Sequence, residues 1–329
     1  MILSARRISV VALAIVFVAA AVIGAALALG GPGPVRPLAS INNPFKDIDY
    51  SDLPPLAHFK ARDGSQLAYR YYQAAGHLVR GSVVLIHGSS ASSQSMHVLA
   101  KQLAAAGFFA YALDMRGHGD SGIKGEIAYV GQLEDDVYDF MSATKPASPS
   151  TMVGLSAGGG FALRFASVDQ QKLFQSYLLL SPFLGQTAPT VRPDSGGWAS
   201  VDVPRIIALS LLNAAGIHAF NELPVMRFAL NERAKQFLTP EYSYNLATNF
   251  RPHPDYSEDM RHVQSPCMVL AGTDDELFFV QKFEPTIHAV RPDWSVSLLP
   301  SVGHTSLVVK PNAVSEIVTH IAELQSKRS

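Results

Sequence analysis

Short apolar runs that alternate with segments of helical character are the feature that most constrains the fold of this chain. The runs have the length of β-strands, and in chain order they read SVVLIHG, GFFAYALDMRG, STMVGLS, SYLLLSP, CMVLAG and WSVSLLP. Segments such as SMHVLAKQLAAAG and VGQLEDDVYDFM lie between them. Nearly continuous apolar strands are typical of a parallel sheet that helices cover on both faces. We therefore predict an α/β fold with a mostly parallel, doubly wound sheet.

One long interval interrupts this alternation and divides the predicted core into two parts, 57–182 and 265–329. The interval, 183–264, is far longer than a connection between neighbouring parallel strands needs. It contains the apolar stretch VPRIIALSLLNAAGIHAF, and we interpret it as a largely helical cap inserted over the strand ends. Residues 31–56 are rich in proline, which predicts an extended linker without a folded unit of its own.

The N-terminal residues 1–30 form a separate apolar segment. After Arg6 and Arg7 no charged residue occurs until Arg36, and Ile8 to Leu29 as a helix would span about 33 Å, enough to cross a bilayer. This length favours an uncleaved transmembrane helix over a signal peptide. An ALA tripeptide near its end has the form of a cleavage site, which would instead give a secreted protein. In both cases the arginines stay in the cytoplasm, and the rest of the chain lies on the non-cytoplasmic side of the cell membrane.

The composition excludes several classes of partner and site. The formal net charge is -1 and Lys and Arg form no cluster, which argues against nucleic acid. Cys267 is the only cysteine, so an internal disulfide and a multi-cysteine metal site are excluded. The acidic trio at 274–276 has no second cluster of His and carboxylate residues at ligand spacing. We therefore predict neither a metal nor a cofactor.

The stretch TMVGLSAGGG places Ser156 where an apolar run becomes a glycine-rich turn. A strand that ends there and a helix that begins at Ala157 would hold the serine hydroxyl on a sharp, exposed elbow. Glycine is needed at Gly154 and Gly158, because side chains there would collide where strand and helix cross. This geometry suits a nucleophile, although a tight turn without chemistry gives the same short pattern.

Residues that could activate such a serine follow two later strands. The trio Asp274, Asp275 and Glu276 follows CMVLAGT, and His304 follows WSVSLLPSVG. The C-terminal ends of parallel strands meet at one edge of a sheet, where chemistry gathers. A serine becomes a nucleophile when an imidazole takes its proton and a carboxylate orients the imidazole. The sequence therefore predicts a Ser-His-carboxylate site.

A fourth strand end supplies the expected oxyanion hole. His87, Gly88 and Ser89 follow the strand SVVLI, and the backbone N–H of Ser89 could point at an oxyanion beside that of Ala157. Each such donor stabilises a tetrahedral intermediate by about 3 kcal/mol in comparable sites. We interpret His87, like His118, as a residue that packs and orients its loop.

The motifs HGSSASS, DMRGHGDSG, GLSAGGG, GTDDELF and GHTSL, in this order after a DGSQLAYRYY hairpin, resemble the α/β-hydrolase superfamily. More narrowly, they are similar to the monoglyceride lipase and lysophospholipase branch, called the serine aminopeptidase or hydrolase-4 family. The resemblance covers about Leu56 to Leu324, is poor across the cap, and implies an α/β-hydrolase fold. In that family the acid lies three residues after the glycine that ends its strand, which from Gly272 selects Asp275. The N-terminal membrane segment is a departure from most of the family.

These observations predict a membrane-anchored serine hydrolase that cleaves carboxylic esters, with monoacyl lipids as one substrate class. Ser156 attacks, His304 transfers the proton, Asp275 orients the imidazole, and an acyl-enzyme forms. A peptidase, amidase or thioesterase with the same triad is the alternative, because the cap reads the leaving group. A non-catalytic binding module on a hydrolase scaffold is a second alternative, against which the intact triad argues. A further hypothesis is that Pro204 to Phe220 lines an acyl pocket near a bilayer rather than packing on the main domain.

Overall fold

The structure, a computed structural model, describes residues 2–76, 78–168 and 172–326, and the side chains of the first helix from residue 13 onward. Its strands are β1 (Leu56–Lys60), β2 (Gln66–Tyr72), β3 (Gly81–Ile86), β4 (Phe108–Leu113), β5 (Ser150–Leu155), β6 (Ser176–Leu180), β7 (Ala199–Val201), β8 (Pro224–Phe228), β9 (Glu241–Ser243), β10 (Cys267–Gly272) and β11 (Ser295–Leu299). Its helices are α1 (Ile2–Leu29), α2 (Ala39–Asn42), α3 (His97–Ala105), α4 (Gln132–Thr144), α5 (Ala157–Ala166), α6 (Val203–Ala214), α7 (Glu232–Lys235), α8 (Tyr244–Asn249), α9 (Tyr256–His262), α10 (Phe283–His288) and α11 (Pro311–Ser326).

The main sheet has eight strands in the order β1-β2-β4-β3-β5-β6-β10-β11. The pairs β1/β2 and β2/β4 are antiparallel, and the remaining five pairs are parallel. The four strands β3, β5, β6 and β10 are buried along their whole length. The predicted α/β-hydrolase sheet is confirmed, and its parallel strand ends meet at one edge as the site requires.

Helices cover both faces of this sheet, which explains why its strands are apolar at successive positions. In β3, Val83 and Leu85 pack in a cluster with Leu99 of α3, whereas Val84 packs in a second cluster with Phe161 of α5. Side chains alternate between the faces of a strand, so a strand covered on both sides needs apolar residues throughout. Each fully buried side chain of this size contributes about 1.5–3 kcal/mol. A charged residue in place of Val84 would therefore disrupt the packing that holds the ends of the strands in position.

The cap leaves the main sheet after β6 and returns to it at β10. It contains α6, α7, α8 and α9, together with a three-stranded antiparallel sheet in the order β7-β8-β9. The structure thus differs from the predicted largely helical cap by this small sheet. Its strands are only three to five residues long. Such short strands show too few alternations of apolar and polar residues to be recognised in a sequence.

The N-terminal helix α1 contacts the cap at its C-terminal end. The guanidinium group of Arg205 in α6 donates hydrogen bonds to the carbonyl oxygens of Ala26, Leu27 and Gly30. The predicted membrane segment begins at Ile8, so its first part lies outside the side chains that the structure describes. Among the described residues, no helix combines the length and the apolar character that a membrane crossing needs.

The linker is more ordered than the proline-rich composition predicts. It forms the short helix α2 and a 3₁₀ turn at Asn43–Phe45, and the Ile41 side chain is buried in the core. The Leu38 N–H donates to the carbonyl oxygen of Ala229 in the cap at 3.0 Å, and the Thr305 hydroxyl donates to that of Ile41 at 3.3 Å. The prediction of an extended linker is therefore wrong for this part, because apolar side chains between the prolines find a buried site.

Candidate active site

Ser156 lies between β5 and α5 with φ 57° and ψ -118°, a backbone conformation that L-residues rarely adopt. The neighbouring glycines make this possible. A Cβ atom at Gly154 would collide with the carbonyl oxygen of Gly158, and one at Gly158 would collide with that of His87. Both contacts are to backbone atoms that cannot move aside. The strand-to-helix crossing therefore requires glycine at the two positions that the sequence pattern indicated.

Asp275 and His304 are in direct contact at the ends of β10 and β11. The His304 Nδ1 atom lies 2.8 Å from the Asp275 Oδ2 atom, and both side chains are buried. The other carboxylate oxygen, Oδ1, accepts the backbone N–H groups of Leu277 and Phe278 at 2.9 and 3.0 Å. Because the carboxylate accepts a hydrogen bond from Nδ1–H, the Nε2 atom of the imidazole is unprotonated and can accept a proton.

The pKa values of this pair move apart. Burial alone would raise the pKa of Asp275, but the charge of His304 and its hydrogen bond outweigh burial, so the pKa lies below its ordinary value. Burial alone would lower the pKa of His304, but the charge of Asp275, their hydrogen bond and the charge of Glu276 raise it above its ordinary value. The carboxylate therefore stays ionised and makes the imidazole a stronger base.

The three acidic residues at this loop occupy different environments. Asp274 is exposed, and its Oδ1 atom accepts a hydrogen bond from the Thr273 hydroxyl at 3.0 Å. The Glu276 Oε2 atom accepts the backbone N–H of His304 at 3.0 Å. Of these three side chains, that of Asp275 makes the hydrogen bond to the imidazole. Within the described part of the chain, no group of three or more His, Cys, Asp or Glu residues is arranged to hold a metal ion.

The loop after β3 brings Gly88 and Ser89 beside the elbow, since a Cβ atom at Gly88 would lie 3.4 Å from that of Ser156. His87 holds this loop. Its Nε2 atom accepts the Met115 N–H at 3.2 Å, and its Nδ1 atom lies 2.8 Å from the Gly88 carbonyl oxygen, to which it donates. Burial lowers the pKa of His87, so the ring is neutral and both nitrogens are used in orienting the loop.

The cap holds the same loop from the other side. The Ser90 N–H donates to the Tyr242 hydroxyl oxygen at 2.6 Å, and that hydroxyl lies 2.5 Å from the Nε2 atom of His118, to which it donates. The Trp198 Nε1–H donates to the Ser89 hydroxyl at 2.9 Å. Tyr242 and Trp198 belong to the cap, where no motif marks them, so sequence reasoning missed both.

Two cavities meet at Ser156, Ser89 and Trp198. The first, which we name the cap cavity, has a volume of about 330 Å³ and lies beneath the cap. Its lining is mostly apolar and includes Ala157, Val203, Ile206, Val225, Phe228 and Phe278. On α6 the lining residues are thus Val203 and Ile206, whereas Leu211 is exposed, so one end of the predicted apolar stretch lines this cavity.

The second cavity, which we name the linker cavity, has a volume of about 820 Å³. His304 and Thr305 form one wall, and Ile41, Phe45 and Tyr50 from the N-terminal linker form another. Both volumes lie within the range of small-molecule sites. The elbow serine thus faces one cavity beneath the cap and another beside the imidazole.

A family model described as serine aminopeptidase, S33 matches residues 77–308. Among curated proteins, the monoacylglycerol lipase of Mycolicibacterium smegmatis is 36% identical over 94 residues, which are 27% of this chain and 33% of the relative. The monoglyceride lipase of Saccharomyces cerevisiae is 26% identical over 171 residues, 43% of this chain and 55% of the relative. The chain therefore matches a third and about half of the length of these two relatives.

Solved structures with the same fold cover most of the chain. A soluble variant of the Saccharomyces cerevisiae monoglyceride lipase in complex with a substrate analog superposes with a TM-score of 0.63 at 18% identity, over 83% of this chain and 95% of that one. The monoacylglycerol lipase of Paleococcus ferrophilus gives 0.58 at 18% identity, over 80% and 99%. At these identities the likeness shows the fold, and the chemistry must be argued from the residues.

Proposed function

Because this chain belongs to the serine aminopeptidase, S33 family of α/β-hydrolases, the branch of the monoglyceride lipases, we propose that it is a serine hydrolase that cleaves carboxylic esters of monoacyl lipids. One observation carries the proposal. The buried pair of Asp275 and His304 lies at the same sheet edge as the strained elbow of Ser156. Two cavities meet at Ser156, and His304 lines one of them. Family membership and the two lipases with partial matches support an acyl ester as substrate.

In this mechanism the Ser156 hydroxyl oxygen attacks the ester carbonyl carbon, and the Nε2 atom of His304 takes the hydroxyl proton. The negative charge moves to the carbonyl oxygen, which accepts hydrogen bonds from the backbone N–H groups of Ser89 and Ala157. The C–O bond of the ester then breaks, and His304 returns the proton to the leaving alcohol. Water, activated by the same imidazole, hydrolyses the acyl-enzyme and releases the carboxylic acid. Asp275 keeps the imidazole oriented throughout.

The leaving alcohol and the acyl chain of the substrate bind in different cavities. His304 must reach the leaving oxygen to protonate it, and His304 lines the linker cavity. The leaving alcohol therefore lies there. The acyl chain lies in the cap cavity, whose walls are mostly apolar. Each methylene buried in that cavity contributes about 0.8 kcal/mol to binding at most, so chain length should govern efficiency.

The proposal is tested with a panel of neutral acyl esters, acyl thioesters and aminoacyl amides on the wild-type chain and on Ser156→Ala. We expect turnover of medium-chain monoacylglycerols, labelling of the wild type by a fluorophosphonate probe, and loss of both in the variant. Activity on aminoacyl amides or thioesters alone would make the chain a peptidase or a thioesterase. Folded protein without labelling or turnover would leave only a binding module on this scaffold.

The N-terminal segment is proposed to anchor the enzyme in the cell membrane, with the active site on the non-cytoplasmic side. The uncharged run after Arg7 and the exposed apolar side chains of α1, such as Phe17 and Val22, support this. The full-length chain should resist carbonate extraction and be digested by protease added outside the cytoplasmic membrane. A mature protein that begins near Leu29 would show a cleaved signal and a secreted enzyme.

A further inference from the structure

Arg251 is a charged residue that lines the cap cavity. It follows α8 in the cap, and it is the only charged residue among the described residues that line this cavity. Its Nε atom is buried and has no hydrogen-bond partner. The rest of the lining is apolar or carries neutral polar groups, such as the hydroxyl of Thr248. The guanidinium group thus lacks an anion within the described part of the chain.

Three other guanidinium groups inside this molecule each have a carboxylate. Arg116 pairs with Asp136, Arg164 with Glu134 and Arg205 with Asp202.

Arg251 differs, because the guanidinium group of Arg164, which is close enough to affect it, carries the same positive charge. Burial lowers the pKa of Arg251 and that like charge lowers it further, although Tyr244 raises it. An arginine remains protonated in proteins, and a buried charge without a partner is costly. Among the described residues, Arg251 thus has neither a carboxylate partner nor a hydrogen bond from its Nε atom that would account for its charge in this position.

The position of Arg251 brings it near the elbow. The next residue, Pro252, packs on Gly160 so closely that a Cβ atom at Gly160 would lie 2.8 Å from the proline Cδ atom. Gly160 is four residues after Ser156 in sequence, or about 6 Å along the axis of α5. Ser156 and Arg251 also line the same cavity, so a group that extends from the ester carbonyl along the cap cavity reaches Arg251.

We propose that Arg251 binds a carboxylate at the end of the substrate's acyl chain, so that the enzyme prefers esters of ω-carboxy acids to plain esters of the same length. This rests on the proposed function, which puts the acyl chain in the cap cavity. An apolar cavity with one cation matches a chain with an apolar stem and an anionic end. A guanidinium group binds a carboxylate with two parallel hydrogen bonds, which gives both affinity and orientation. The linker cavity, in contrast, is lined by side chains of both signs, including Asp114, Lys46 and Arg233.

The test compares p-nitrophenyl monoesters of adipate, suberate and sebacate with the same compounds whose free carboxylate is capped as a methyl ester. The quantity measured is the ratio of kcat/KM for the free acid to kcat/KM for the capped ester. We expect this ratio at the best chain length to be at least about tenfold higher in the wild type than in Arg251→Gln, chiefly through KM. Arg251→Lys should keep part of the preference, because the charge remains while the two parallel bonds are lost.

The control is Arg227→Gln, which removes a positive charge from the cap surface, where Arg227 pairs with Glu241. It should leave the ratio unchanged. The melting temperature of Arg251→Gln should equal or exceed that of the wild type, because an unpaired cation is removed. A ratio that is the same in the wild type and Arg251→Gln, or a lower melting temperature with an unchanged ratio, would overturn the inference. If the wild-type chain hydrolysed none of the neutral esters, the proposed function would be overturned instead.

Discussion

The hydroxyl of Tyr242 links the cap to the loop that contains Ser89, whose N–H is the expected oxyanion donor. Tyr242→Phe removes this hydroxyl and leaves the contact of Trp198 with the loop in place. The aromatic ring would keep its edge contact with Phe228, whose centroid lies 4.6 Å away. Two buried groups would lose their partner, the N–H of Ser90 and the Nε2 atom of His118. Each buried unsatisfied group costs about 1–3 kcal/mol, and some relaxation is available, so the loss of stability should be about 2–4 kcal/mol. That loss lowers the melting temperature by about 4–16 °C.

The effect on catalysis follows from the same loop. Removing one oxyanion donor outright costs about 10²–10³ in kcat. Tyr242→Phe displaces the N–H of Ser89 rather than removing it, so kcat should fall by about 10–100-fold. The assay is the steady-state hydrolysis of p-nitrophenyl acetate, because a short acyl group does not use the apolar walls of the cap cavity. KM for this ester should change little, since the loss concerns charge that develops after binding.

A matched control separates this effect from a general weakening of the cap. Tyr244→Phe removes a hydroxyl that lies 3.0 Å from the Ser210 hydroxyl, also within the cap, with no contact to the loop. It should cost about 1 kcal/mol and leave kcat within about twofold. If Tyr242→Phe lost stability while kcat stayed at the wild-type value, the Tyr242 hydroxyl would not position the oxyanion loop and our reasoning would be refuted.

Other substitutions test the remaining parts of the site. Asp275→Asn should lower kcat by about 10⁴-fold, because the imidazole is then held in the wrong tautomer. Asp274→Asn should change kcat less than about twofold. The opposite ranking would show that Asp274 orients the imidazole. Because the His304 imidazole must be unprotonated to act as a base and its pKa is raised, kcat/KM should fall as the pH decreases, with a midpoint above the ordinary value of about 6.5. In Asp275→Asn that midpoint should move to lower pH, and an unmoved midpoint would show that another group titrates. Gly158→Ala should lower the free energy of unfolding, measured with urea, by about 3 kcal/mol, because its Cβ atom would collide with the His87 carbonyl oxygen. A variant with wild-type stability would contradict the close crossing of strand and helix.

The main sheet and the predicted triad could be inferred from the sequence because their signals are local. Each apolar strand is visible in a few consecutive residues, and Ser156, Asp275 and His304 each follow one of those strands. The strand ends then converge for a topological reason that holds for parallel sheets generally.

Residues of the cap could not be found in this way. Tyr242 reaches Ser90 across 152 positions of sequence, and neither residue lies in a pattern that indicates the contact. Arg251 stands out only when its surroundings are known, because a sequence does not show that a guanidinium group lacks a carboxylate. The ordered linker was missed for a related reason. The burial of Ile41 depends on a site that distant parts of the chain form together.

The contacts of the linker determine where a fragment for expression can begin. A fragment starting at Pro44 would remove every apolar side chain of the 4 residues of α2, including the buried Ile41, and the carbonyl that accepts the Thr305 hydroxyl. Thr305 directly follows His304 in sequence, so the deletion would release the backbone next to the imidazole and open one wall of the linker cavity. A boundary just after α1, near Gly31, keeps these contacts and also removes the exposed apolar helix. Crystals and kinetic constants from the shorter fragment would describe a differently shaped leaving-group site.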